Sequence, residues 1–243
     1  MFPAQTYVER RQRLQTKVRS GLLLFLGNAE SPMNYPDNTF HFRQDSSFLY
    51  FLGVDQPGYA GVMDLDAGTT TLFADDLTLD AIVWTEPQPT VAEWAAQAGI
   101  QNTAPADQLG EVLQRARVQG RAIHFLPPYR PENRLRLLDL LGIPPAEQGA
   151  KASLEFIQAV VSLRIHKDAE ELVEIEKAVT TTVAMHLAGI RTARPGLKES
   201  DLAARVAEIA LAAGGQLSFP IIATVHGETL HNHFHGNALE SGQ

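Results

Sequence analysis

The sequence predicts an α/β layered domain, with helices on both faces of a mixed sheet, followed beyond Arg164 by a region of a different kind. Three observations carry this reading. Short apolar runs of strand length alternate with segments of helical spacing through the first two thirds of the chain. Two stretches there show the S/T-x-x-E register that opens helices. Beyond Arg164 one long apolar stripe replaces the alternation. With 243 residues, 44% of them hydrophobic, the chain is long enough to bury a substantial core.

Thr6 and Glu9 stand in capping-box register, so a first helix is expected from about Tyr7 toward Val18. "LLLFLG" after Gly21 is short and wholly apolar, the pattern of a strand buried on both faces. "NAESPMNYPDNTFHF" reads as a long loop. "SSFLYFLG", "YAGVMDL" and "TTTLFA" read as three strands in an antiparallel meander, the last two forming a hairpin with Asp66, Ala67 and Gly68 at its tip.

Thr90 and Glu93 repeat the capping register ahead of a helix that Gly99 stops. Leu109, Val112, Leu113 and Ala116 mark the next helix, "RAIHFL" a strand, and Leu135, Leu138 and Leu141 another helix. A last helix, Ser153 to Arg164, still belongs to the first domain, which is placed at residues 1–164, with a second region at 165–243.

In that second region Asp168 and Glu171 cap a long amphipathic helix carrying Leu172, Ile175, Val179, Val183, His186 and Ile190. "RPG" breaks it, a helix with Leu202, Val206, Ile209 and Ala213 follows, and Gly214-Gly215 end that one. "LSFPIIATV" reads as a strand entering a histidine-rich loop.

Composition excludes several function classes. Lys and Arg number 20 against 28 Asp and Glu, a net charge of −8 with no basic block, which argues against nucleic acid or an anionic membrane as partner. No cysteine is present, so thiol nucleophiles and Cys-based zinc sites are excluded, and any metal must be held by His and carboxylates. "MFPAQTYVERRQRL" carries charge where a signal peptide has its apolar core, and no apolar run approaches the length of a membrane span. These features read as a cytoplasmic protein.

Four of the eight histidines, His226, His231, His233 and His235, fall within ten residues. On a strand, His231, His233 and His235 would share one face and present nitrogens to a metal ion. A polar loop, or one imidazole serving proton transfer or a substrate hydrogen bond, fits the same spacing.

"FRQDSSFLYFLG", "LRIHKDAEELVEIEKA", "RPGLKESDLAA" and "LSFPIIATVHGETLHNHFHGN" occur in the order that resembles the aminopeptidase P, prolidase and creatinase family of metallopeptidases, closest to its bacterial Xaa-Pro aminopeptidase branch. The resemblance implies an N-terminal α/β/α domain of ribonuclease-H-like fold followed by a "pita-bread" catalytic domain, here incomplete. It implies peptide substrates with proline at position two, a homodimer or homotetramer, and two divalent metal ions, manganese as a rule. The family's ligands for those ions, two aspartates, a histidine and two glutamates, would lie C-terminal to Gln243. No metal ligand is therefore expected in this chain, which would be a fragment truncated before them and inactive alone.

By the same resemblance His231 is the catalytic histidine that hydrogen-bonds substrate and helps stabilise the tetrahedral intermediate, while His233 and His235 line the substrate pocket or belong to a polar loop. A prolidase, a creatinase-like amidinohydrolase, and a non-catalytic peptide- or protein-binding relative remain as alternatives. Elsewhere, Arg43 and Asp45 are expected to pair in a buried salt bridge, Asp64 and Asp66 to serve the hairpin turn rather than a metal, and Trp84 and Trp94 to pack, with a subunit contact left open for Trp84.

Overall fold

The structure, a computed structural model, describes residues 1–242. The chain forms two compact units, Met1–His166 and a second from Lys167 onward. The first runs α1 (Ala4–Gln15), β1 (Leu22–Leu26), α2 (Ser46–Leu52), β2 (Ala60–Asp64), β3 (Thr69–Phe73), α3 (Leu79–Thr85), α4 (Val91–Gln97), β4 (Asn102–Ala104), α5 (Gln108–Val118), β5 (Ile123–Phe125), α6 (Pro131–Leu141), α7 (Gln148–Lys151) and α8 (Leu154–Arg164). The expected α/β class with a mixed sheet is what forms.

The five strands lie in the order β4-β3-β2-β1-β5. β1, β2 and β3 pair antiparallel, and the outer strands β5 and β4 pair parallel to β1 and β3. Successive side chains of a strand point to opposite faces. Leu23 and Phe25 of β1 thus enter one core with Leu14, Phe48, Phe51 and Phe156, while Leu22 and Leu24 enter the other with Leu109, Leu113 and Leu137. β1 is buried on both faces, as its unbroken apolar run predicts.

The hairpin forms where expected, with Asp64 Oδ1 accepting from the backbone N–H groups of Asp66 and Ala67 to make the turn. Both aspartates also pair with Arg121: Nη1 reaches Asp64 Oδ2 at 3.0 Å and Nε reaches Asp66 Oδ2 at 2.9 Å. Burial alone would raise the Asp64 pKa, but the Arg121 hydrogen bonds and charge, with the turn N–H groups, bring it below the ordinary value.

"SSFLYFLG" is a helix, not the first strand of a meander. Asp45 accepts from the N–H groups of Ser47 and Phe48, and Gly53 ends the helix in the left-handed conformation at φ +66°. The buried residues Phe48, Phe51 and Leu52 recur at helical spacing. The expected Arg43–Asp45 salt bridge is also overturned: Asp45 is occupied as the cap, and exposed Arg43 donates to Ser46 Oγ.

α1 begins at Ala4 after Pro3, ahead of the Thr6–Glu9 register, and has no side-chain cap. Arg11 on this helix is buried and donates to the carbonyls of Phe51, Ala98 and Gly99, tying α1 to the ends of α2 and α4. Desolvation lowers its pKa to about 10. Trp94 packs against the core, but Trp84 on α3 is 86% exposed and does not pack. α3, β4 and α7 are short elements that the sequence pattern did not mark.

The second unit contains α9 (Ala169–Thr192) and α10 (Glu199–Ala212). Asp168 Oδ1 accepts from Glu171 N–H and Glu171 Oε2 from Asp168 N–H, the capping box expected there. No residue of α9 is buried, although its apolar positions recur three or four apart. The strand expected at "LSFPIIATV" does not form: Leu217 to Val225 is irregular, interrupted by Pro220. Among the described residues no helix is long and apolar enough to cross a membrane.

Candidate functional site

The histidine-rich segment is built onto the start of α10. Residues 235–239 run antiparallel to residues 196–200, with Leu239 N–H donating to Leu197 O at 2.8 Å, Glu199 N–H to Asn237 O at 3.0 Å and Ser200 N–H to His235 O at 3.1 Å. Gly196, at φ +89°, makes the turn that brings its own N–H to Leu239 O at 2.9 Å.

Glu199, the first residue of α10, is 2% exposed. Its Oε1 accepts from Val225 N–H at 2.8 Å and from Asn237 Nδ2 at 3.0 Å, and its Oε2 accepts from Asn237 N–H at 3.0 Å. Burial by itself would raise the pKa of this carboxyl. Hydrogen bonds from the Asn237 side chain, from the backbone of Val225 and Asn237, and from the Thr224 side chain outweigh it and hold the pKa at about 2.

The four histidines stand in different surroundings. His226 is exposed, its Nδ1 3.2 Å from Glu228 Oε1. His231 and His233 are exposed, and neither ring has a hydrogen-bond partner among the described residues. His235 is half-buried and its Nε2 donates to Ile221 O at 2.9 Å, which leaves Nδ1 as the acceptor in the neutral ring. The shared strand face that spacing offers to His231, His233 and His235 is overturned, because residues 231–237 form no strand.

Among the described residues no three His, Asp or Glu side chains come together in a group able to hold a metal ion. A divalent ion bound by carboxylate and imidazole thus finds no ligand set among the described residues. A cleft of about 570 Å³ opens beside the clamped segment, lined among others by Arg194, Glu199, Leu202, Thr224 and Val225. Sequence reasoning missed Glu199 and Asn237. A glutamate in the first turn of a helix reads as dipole compensation, and nothing local to it announces partners 26 and 38 residues away.

The structure superposes on Pseudomonas aeruginosa aminopeptidase PepP with a TM-score of 0.72 at 19% identity, over 88% of this chain and 50% of that one. Aminopeptidase P from Escherichia coli gives a TM-score of 0.71 over the same shares. In sequence, a probable Xaa-Pro aminopeptidase of Chaetomium globosum is 25% identical over 100% of this chain and 40% of its own length. The human Xaa-Pro dipeptidase is 28% identical over 46% of this chain and 24% of its own.

Residues 7–124 match the aminopeptidase P N-terminal domain. The chain spans about half or less of the length of the relatives it matches.

Proposed function

We propose that these residues are part of a metal-dependent Xaa-Pro aminopeptidase, which releases the N-terminal residue from peptides with proline at position two. One observation carries the choice within the family. Similarity to four fungal probable Xaa-Pro aminopeptidases extends over 98 to 100% of the chain and to a fifth over 41%, whereas similarity to the mammalian Xaa-Pro dipeptidases reaches 46% in each case.

Residues 1–164 serve as the N-terminal domain and 165–243 as the leading part of a pita-bread catalytic domain. The exposed apolar side of α9 supports this, since a helix striped in that way is patterned to lie against further structure. So do the relatives, which are about twice as long. The divalent ions, manganese in this reading, are held by residues outside these 243. When bound they would supply Lewis-acid polarisation of the scissile carbonyl and activation of water at neutral pH.

His231 is the residue that meets substrate, with His233 and His235 beside it. The exposed, unpartnered rings of His231 and His233 are available for such contacts, whereas His235 is held by Ile221 O and can offer only Nδ1. The working protein is a cytoplasmic homodimer or homotetramer.

The test is hydrolysis by the full-length protein supplied with Mn²⁺, on an Xaa-Pro-Yaa tripeptide, an Xaa-Pro dipeptide and an Xaa-Ala-Yaa control. Cleavage of the tripeptide before proline is expected. Preference for the dipeptide would indicate a prolidase instead, and binding of the tripeptide without cleavage a non-catalytic relative.

A further inference from the structure

All four clustered histidines lie between two attachment points, and both points are made to one side chain. Val225, immediately before His226, donates its N–H to Glu199 Oε1 at 2.8 Å. Asn237, two residues after His235, donates its N–H to Oε2 at 3.0 Å, and its Nδ2 spans both oxygens at 3.0 and 3.1 Å. The carboxylate thus bridges the two ends of the segment, and the partners named for it are neutral N–H and hydroxyl donors. That is the arrangement a buried charge needs in order to stay charged.

Apart from the exposed His226–Glu228 contact, the segment's other bonds join neutral groups. Thr229 N–H donates to His226 O at 2.9 Å, Asn232 Nδ2 to Thr224 Oγ1 and Phe234 N–H to Asn232 Oδ1 at 3.0 Å each, while His235 is also held by Ile221 O and by Ser200 N–H. Among the described residues no hydrogen bond holds the His231 or His233 ring. Where those rings stand therefore depends on how the segment is closed.

We infer that Glu199 is a positioning residue, whose carboxylate closes residues 225–237 into a loop on the first turn of α10 and so sets the placement of His231, His233 and His235. The inference rests on the peptidase reading only for the use to which His231 is put. Loop closure itself stands on the contacts.

Glu199→Gln is the discriminating substitution. It keeps the shape but turns one acceptor oxygen into an NH₂ group, so in either orientation the side chain faces an N–H donor with a donor. Asn237→Ala removes the two Nδ2 bonds and leaves Glu199 intact, which keeps the test available if the first variant fails to fold.

The experiment is amide hydrogen exchange by NMR on the 243-residue chain, together with the imidazole C–H resonances of its histidines. In the parent chain the Val225 and Asn237 amides are protected. In Glu199→Gln both exchange about tenfold faster or more, as expected on losing a charge-assisted bond, and the His231, His233 and His235 resonances move. The amides of α10 beyond its first turn and the resonances of His41 and His124 stay where they were. Asn237→Ala gives the same histidine shifts with smaller changes in exchange.

Unchanged protection at Val225 and Asn237 in Glu199→Gln, or unchanged histidine resonances in both variants, would overturn the inference. So would loss of protection throughout α10, because Glu199 would then be holding the helix and not the loop. Neither readout requires hydrolysis, so an inactive full-length protein with this signature would defeat the peptidase reading and leave the clamp standing.

Discussion

In the first unit Phe48, Phe51 and Phe156 are wholly shielded from water, each seated between a helix and the sheet. In the second, Val179, Val183 and Ile190 of α9 are 48, 51 and 72% exposed. Both sets come from amphipathic helices with apolar residues three or four apart, so the contrast is not one of pattern. It is one of whether the apolar face is covered among the described residues. Burial of apolar surface supplies most of the stability of a fold. The first unit therefore carries its own core, while the second displays an apolar face and spends its polar groups on holding a loop.

If that contrast is right, substitutions in the first unit should cost stability and those in the histidine loop should cost activity. Phe156→Ala should show the largest effect. The ring is 0% exposed and meets Phe25 edge-on at 5.2 Å. A loss of about 3–5 kcal/mol is expected from denaturant unfolding followed by a probe in the first unit. His231→Ala in the full-length protein should lower kcat about 100-fold while leaving the unfolding midpoint unchanged. A matching loss of stability would erase the contrast.

Gly53→Ala should cost about 2 kcal/mol, because Gly53 sits at φ +66° and a Cβ there would lie 2.7 Å from the buried ring of Tyr7. Arg121→Ala should cost about 1 kcal/mol, a value limited by solvent screening of a partly exposed group. Its pH dependence has a definite sign. The folded Asp64 pKa is depressed, so the pair's contribution is fully present above the ordinary carboxylate value near ~3.9 and is lost as pH falls through the lowered one. In Arg121→Ala that part of the acid sensitivity should disappear. The smallest effect belongs to Val183→Ser on α9, expected to change stability by less than about 0.5 kcal/mol while reducing the binding of an apolar dye.

Much of the first unit was legible because its signals are local. The apolar run of β1, the Asp66–Gly68 hairpin tip and the Thr90–Glu93 cap each depend on a few adjacent residues, and each forms, as does the Asp168–Glu171 cap in the second unit. α2 was misread because its aromatic residues favour strands, and the weight belonged with Asp45 at one end and Gly53 at the other. The Thr6–Glu9 register was outweighed by Pro3, which opens α1 earlier. At "LSFPIIATV" the β-branched residues promised a strand, but Pro220 interrupts the run and no ladder forms along it.

The candidate site was legible only as a cluster of histidines. What organises it, a carboxylate on α10 bonded to residues 26 and 38 positions away, depends on tertiary closure that no local window contains. The strand order of the sheet was hidden for the same reason, since β5 pairs with β1 from Ile123 back to Leu22.

The central claim is that the second unit is the leading part of a larger catalytic domain, and the intact mass of the native protein from its source cells tests it most directly. The account predicts a mass well above 26.6 kDa, near twice that value by the proportions of the fungal relatives. A native mass of 26.6 kDa would contradict it, because the apolar face of α9 would then belong to a finished protein with no room for the metal-binding residues that the proposed reaction requires.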